Sequence, residues 1–121
     1  MAIAAALATI DLLEEKYMAN AARMGSYLIE RLREWPARHP LVGDVRGRGL
    51  MVGIELVKDR VTKAHATEER DRLVRLAFES GLLVLGCGAS TLRLMPPLVV
   101  NRRQIDAAVE ILDRCLSRIE Q

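Results

Sequence analysis

The sequence predicts an α+β fold, a two-layer sandwich in which a small, largely antiparallel sheet carries helices on one face. Three observations lead there. Leu50, Val52, Ile54 and Leu56 alternate with Met51, Gly53 and Glu55, the period of two expected of a strand with one buried face. Strand-like runs come in pairs with helix-like runs between them, in the order α-(α)-β-β-α-β-β-α. The 121 residues are 50% apolar but only 3% aromatic, so they can fill one core of Leu, Ile, Val, Ala and Met.

Residues 2–35 read as helix throughout. Ile3, Leu7, Ile10 and Leu13 form one apolar stripe, and Ala21, Met24, Leu28, Leu32 and Trp35 form another. The stripes change phase near Lys16–Asn20, which predicts a kink or short break there. Pro36 and Pro40 are expected to stop the helix. Val42–Arg46 and Leu50–Leu56 form a hairpin joined by Gly47-Arg48-Gly49, and Lys58–Ala66 is a polar connection. Thr67 is placed as the cap of a helix with Glu68 and Glu69 in its first turn, apolar Leu73, Leu76 and Ala77, and Gly81 just past its end. Leu82–Leu85 and Thr91–Met95 are short strands around a Gly86-Cys87-Gly88 loop, and Pro96-Pro97 closes the second. Asn101, with Gln104 three residues on, opens a final helix striped by Ile105, Ala108, Val109, Leu112, Leu116 and Ile119.

Composition excludes several classes of function. Eighteen basic and 16 acidic residues give a net charge of +2, and the arginines alternate with acids as in Glu68-Glu69-Arg70-Asp71-Arg72. That is a solvated helix face and not a nucleic-acid footprint. No run approaches the roughly 20 apolar residues that span a bilayer, so no membrane partner is expected. The apolar opening lacks the basic flank of a signal peptide and is followed at once by Asp11, Glu14 and Glu15. Two cysteines, Cys87 and Cys115, make neither a disulfide framework nor a zinc motif, which suits a reduced, cytoplasmic setting.

Few residues suggest chemistry. Arg93 lies on a strand face opposite Leu92 and Leu94, just before the proline pair. A guanidinium held there can grip a carboxylate through two parallel hydrogen bonds, or it can be a surface or edge-strand arginine paired with a nearby glutamate. Arg46-Gly47-Arg48-Gly49 misses the dinucleotide-binding and P-loop spacings and reads as a hairpin turn. Cys87 has no histidine nearby in sequence to activate it. His39 and His65 sit in polar connections, are expected to be exposed, and have no metal-ligand partners at useful spacing, so no metal is expected.

Arg46-Gly-Arg-Gly-Leu-Met-Val-Gly-Ile-Glu55, followed about forty residues on by Leu92-Arg-Leu-Met-Pro-Pro-Leu98, resembles the C-terminal small domain of class III aminotransferases. These are fold-type I enzymes that use pyridoxal phosphate. Ala2–Asp11 resembles the family's helix leaving the cofactor domain, and Asn20-Ala-Ala-Arg-Met-Gly-Ser-Tyr-Leu-Ile-Glu-Arg-Leu32 fits as well. The resemblance runs from about residue 2 to the end. Gly86-Cys87-Gly88 most resembles the 4-aminobutyrate and related ω-amino-acid branch, and acetylornithine and ornithine enzymes share most of the pattern.

The resemblance implies that residues 1–121 are a single domain whose helix 2–16 connects to a large cofactor domain lying outside this chain. It implies that Arg93 binds a substrate carboxylate or pairs with a glutamate of that large domain. The family's cofactor-holding lysine, its aspartate on the pyridine nitrogen and its phosphate-binding residues all belong to the large domain. None of Lys16, Lys58 or Lys63 sits in that lysine motif, so no catalytic and no cofactor-binding residue is expected here. These 121 residues alone are then expected to be inactive. The complete enzyme would be a homodimer or larger, moving an amino group from an amino acid to a 2-oxo acid. The donor would be 4-aminobutyrate, another ω-amino acid, or acetylornithine or ornithine. Two alternatives stand beside this: an amino-acid racemase or epimerase of the same family, and a stand-alone small-molecule-binding regulatory module. A stand-alone module should cover its apolar stripes, whereas a piece of a larger enzyme should leave a docking face bare around Ala2–Leu13.

Overall fold

The computed structural model describes residues 1–121. Its elements are α1 (Ala2–Leu12), a π-helical turn (Leu13–Tyr17), α2 (Met18–Leu32), α3 (Trp35–Arg38), β1 (Val42–Arg48), β2 (Met51–Leu56), α4 (Thr67–Glu79), β3 (Leu85–Cys87), β4 (Thr91–Leu94) and α5 (Arg102–Ile119). The four strands make one fully antiparallel sheet in the order β1-β2-β4-β3. Helices α2 and α4 pack on one face of it, and α5 packs against both helices. The predicted α+β sandwich is the one observed.

Alternation decides which side chains enter the core. Val52, Ile54 and Leu56 of β2 and Leu92 and Leu94 of β4 are buried beneath the helices, where Leu32, Leu73, Leu112 and Leu116 meet them. Each such side chain contributes about 1.5–3 kcal/mol relative to an exposed one. No helix is long and apolar enough to cross a membrane.

The phase change between the first two stripes has a definite cause. The π turn at Leu13–Tyr17 inserts an extra residue into the helical winding, so the apolar face rotates without the chain leaving the helix. The stripe of α2 is then buried at Leu28 and Leu32, but α1 buries nothing. Ile3, Leu7, Ile10 and Leu12 are all exposed. The bare first helix is the pattern expected of a domain whose apolar face belongs against something else.

Several boundaries differ from expectation. The long helix ends at Leu32, and Pro36 stands in the first turn of α3, where a missing N–H costs nothing, so it starts a helix instead of stopping one. Strand β1 runs on to Arg48 and the turn is the pair Gly49–Leu50, with Gly49 at φ +56. Thr67 is the first helical residue and not the cap, and its hydroxyl donates to the Ala89 carbonyl at 2.8 Å. Gly81, at φ +86, does close α4: its N–H reaches Phe78 O at 3.0 Å and Leu82 N–H reaches Ala77 O at 2.8 Å. The strand expected at Leu82–Leu85 is instead Leu85–Cys87, because ladder pairing begins at Leu85 opposite Arg93 and Leu82–Val84 leave the sheet. Gly86 and Cys87 are therefore strand residues, not loop. The capping box of α5 forms as read, with Asn101 and Gln104 each accepting at 3.0 Å from the other's backbone N–H.

His39 is the largest departure. It is 2% exposed, with Nδ1 2.8 Å from Glu120 Oε2 and Nε2 2.8 Å from Asp113 Oδ1. Glu120 also accepts from Leu41 N–H at 3.1 Å, and Asp113 pairs with Arg38 at 2.7 Å. The C-terminal end of α5 returns to the α3–β1 junction, a contact across more than seventy residues that local sequence does not signal. His65 is exposed as expected, its Nδ1 3.1 Å from Ser90 Oγ.

Candidate functional site

The sheet face away from the helices has no covering layer. The register sets Arg46, Gly53, Arg93 and Leu85 side by side across β1, β2, β4 and β3. The next row is Asp44, Glu55, Thr91 and Cys87. Met51, Leu85 and Met95, all more than half exposed, leave the surroundings of Arg93 apolar.

The two arginines in the first row differ in kind. Arg46 is neutralised: its guanidinium lies 2.6 Å from Glu55 Oε2 and 3.0 Å from Asp44 Oδ2. The hydrogen bond to Glu55, followed by that to Asp44, raises its pKa further above the usual arginine range. Glu55 is correspondingly held below the ordinary carboxylate range, chiefly by Arg46. Hydrogen bonds from Thr91 at 3.0 Å and Ser90 at 3.1 Å help, against the opposing effect of burial. Both carboxylate oxygens of Glu55 are thus committed, Oε2 to Arg46 in the neighbouring row and to Thr91 in its own, Oε1 to Ser90 just before β4.

Arg93 takes part in none of the chain's ion pairs and is exposed. Its cross-strand neighbours offer no counter-charge: Gly53 has no side chain and Leu85 is apolar. It is also not on an edge, since β4 lies between β2 and β3. The reading of an edge-strand arginine satisfied by a nearby glutamate therefore does not hold within this chain. An unpaired guanidinium carried on a central strand and flanked by apolar side chains is suited to an incoming carboxylate, which brings the missing charge and two parallel acceptors.

An apolar cleft of about 300 Å³ adjoins this row, bordered by Leu83, Arg93, Met95, Pro96 and Pro97 and floored by residues of α5. A second, polar hollow of about 550 Å³ is lined by Arg46, Glu55, Arg60, Lys63 and His65. Arg60 there is spent on backbone, donating to the carbonyls of Pro36 and His39. The Arg46–Gly49 segment is strand and turn, with no backbone cradle for a phosphate. Sequence reading singled out Arg93 but assigned no role to Gly53 or Glu55. Their places beside it follow only from the register, although the alternation along β2 already put them on the open face.

The remaining polar groups do not converge on Arg93. Lys16 is in the π turn, Lys58 lies 3.9 and 3.7 Å from Glu68 and Glu69, and Lys63 belongs to the connection after β2. The N-terminus of α5 is closed by its capping box, whereas that of α4 has no side-chain cap and carries two acidic residues, Glu68 and Glu69, in its first turn. Cys87 is half-buried opposite Thr91, and no group of His, Cys, Asp and Glu is arranged to hold a metal ion.

Comparison with known proteins gives a consistent result. The family model described as aminotransferase class-III matches residues 1–116. The leucine/methionine racemase of Thermococcus litoralis is 41% identical over 97% of this chain and 27% of its own length. The taurine–pyruvate aminotransferase of Bilophila wadsworthia is 40% identical over 98% of this chain and 28% of its own. The solved amine transaminase of an uncultivated Pseudomonas species, in its PLP-bound form, superposes with a TM-score of 0.88 at 36% identity. That match covers 96% of this chain and 27% of the other. The chain therefore spans little more than a quarter of the length of the relatives it matches.

Proposed function

The chain belongs to the class-III aminotransferase family, and from that premise we propose that it is the small-domain part of a pyridoxal-phosphate-dependent transaminase. In this reading the complete enzyme transfers an amino group from an amino acid to a 2-oxo acid in the cytoplasm. The amino donor belongs to the class of 4-aminobutyrate and other ω-amino acids, or of acetylornithine and ornithine. The chain's own task is to present Arg93 to the substrate carboxylate.

The observation that carries the reading is the unpaired Arg93 at the centre of an uncovered sheet face, between Gly53 and Leu85. The bare α1 supports it, because an apolar helix that buries nothing calls for a further domain against it. The residues present do not fit a pyridoxal phosphate site. No strand carries a lysine, the N-terminus of α5 is closed by its capping box, and that of α4 carries Glu68 and Glu69, whose charge opposes a phosphate. The cofactor, which supplies the electron sink for the reaction, would then be held by the cofactor domain. These 121 residues alone would not transaminate.

A racemase or epimerase of the same family is the second reading, favoured by the Thermococcus litoralis relative at 41% identity. Arg93 would hold the substrate carboxylate in that reaction too. The test is Arg93→Ala in the enzyme that joins this chain to a cofactor domain. Losing a charged, bidentate contact of about 1.5–3 kcal/mol should raise KM for carboxylate substrates on the order of tenfold to a hundredfold. Cofactor absorbance should be retained. Unchanged kinetics with every carboxylate substrate would remove Arg93 from the site.

A further inference from the structure

We propose that Asn20 is a positioning residue for Arg93, acting through the Met95–Val100 segment; the proposal rests on the reading of Arg93 as the group that holds the substrate carboxylate. Arg93 is the penultimate residue of β4. Beyond the strand, Met95 to Val99 run over the surface, exposed or half-exposed, and none of them belongs to a strand or helix. Pro96 and Pro97 have no N–H to donate. Behind the segment lies the apolar cleft of about 300 Å³, which Met95, Pro96, Pro97 and Val100 border. Close packing therefore holds the segment only at its far end, where Val100 is buried in the core, and not along Met95–Val99.

Asn20 holds it from the side. Its Nδ2 donates to the Leu98 carbonyl at 2.7 Å and to the Val100 carbonyl at 3.1 Å. These are the only side-chain hydrogen bonds that reach residues 95–100, alongside the turn bond from Val100 N–H to Pro97 O at 2.9 Å. The amide is itself oriented, because Arg23 donates to Asn20 Oδ1 at 3.2 Å and so turns the NH₂ group to the segment. Asn20 stands in the first turn of α2, and Gly25 of the same helix is seated against Gly49 in the β1–β2 turn, at the same end of the sheet. The anchor is thus fixed to the sheet that carries Arg93.

Between Leu98 and Arg93 two backbone torsions are locked by proline rings, so a tether at Leu98 is felt at the end of β4. Without it the segment can slide over the cleft, and only a fraction of molecules presents the Arg93 strand end in the binding geometry. Apparent affinity for a carboxylate then falls by that fraction. Sequence alone offered Asn20 as part of a helical motif with no task.

The experiment uses the enzyme that joins this chain to its cofactor domain. Asn20→Ala is expected to raise KM for an amino acid about three- to tenfold, with kcat within about twofold of the parent. KM for the matching amine without a carboxylate should not move. Asn20→Asp keeps the size and loses the donors; it should give the same shift, and it carries the test if the alanine variant fails to fold. In an Arg93→Ala background, Asn20→Ala should add nothing to KM for the amino acid, since the cation it positions is gone. An equal rise for amino acid and amine, or an additive effect in the Arg93→Ala background, overturns the inference and leaves the role of Arg93 standing. An Arg93→Ala enzyme with unaltered KM for the amino acid overturns both.

Discussion

Gly25→Ala sets two known effects against each other. Gly25 is buried inside α2, where alanine is ordinarily the better helix former by about 1 kcal/mol. Here an added Cβ would fall well inside contact distance of the Gly49 carbonyl group and 2.6 Å from the Gly49 Cα. All three atoms are backbone, and Gly49 is held at φ +56 by its turn, so no flexible side-chain end can give way. Relief requires α2 and the hairpin turn to part by about 1 Å in an interior packed at crystal-like density. Overpacking of that kind costs about 1–3 kcal/mol, and the upper half of the range applies where both walls are backbone. The net expectation is a loss of about 1–2 kcal/mol, opposite in sign to propensity. In urea denaturation of the 121-residue chain the midpoint should fall with an unchanged slope. Ser26→Ala, at the neighbouring exposed position, should be neutral or slightly stabilising. A Gly25→Ala chain as stable as the parent would show that α2 does not rest on the turn as described.

Two further perturbations follow from buried or paired charge. His39→Ala removes the ring that lies between Asp113 and Glu120 and leaves their carboxylates, 23% and 14% exposed, without it. Arg38 still reaches Asp113, so the expected loss is about 2–4 kcal/mol in chemical denaturation, somewhat below that of a wholly stranded pair; a loss under about 1 kcal/mol would contradict the burial described. Glu55, held below its ordinary pKa of 4.5 chiefly by Arg46, contributes stability that is fully present above that value and is lost as pH falls through the depressed one. Arg46 is 56% exposed, so the amount is small, about 0.5 kcal/mol. Glu55→Gln should therefore flatten the fall in stability as pH drops below the ordinary carboxylate range, and superimposable curves for parent and variant would remove the pair from the acid transition.

What the sequence by itself determined is whatever depends on spacing along the chain. The alternation in Leu50–Leu56 and Leu92–Leu94 set which faces are buried, and it put Arg93 on the other face. The Asn101 capping box, the Gly81 stop and the change of phase after α1 were equally legible, since each is made by residues within a turn or two of one another. Only the tertiary structure decided what each face meets. Pairing register, a property of two strands together, left Arg93 between Gly53 and Leu85 without a counter-ion while Glu55 was spent on Arg46. His39 entered the core because the end of α5 returns to it, and Asn20 acquired its task because Leu98 and Val100 pass beside it nearly eighty residues later. Such contacts carry no local periodicity. They arise from closing the chain on itself, where each partner is chosen by shape and charge brought together from distant positions.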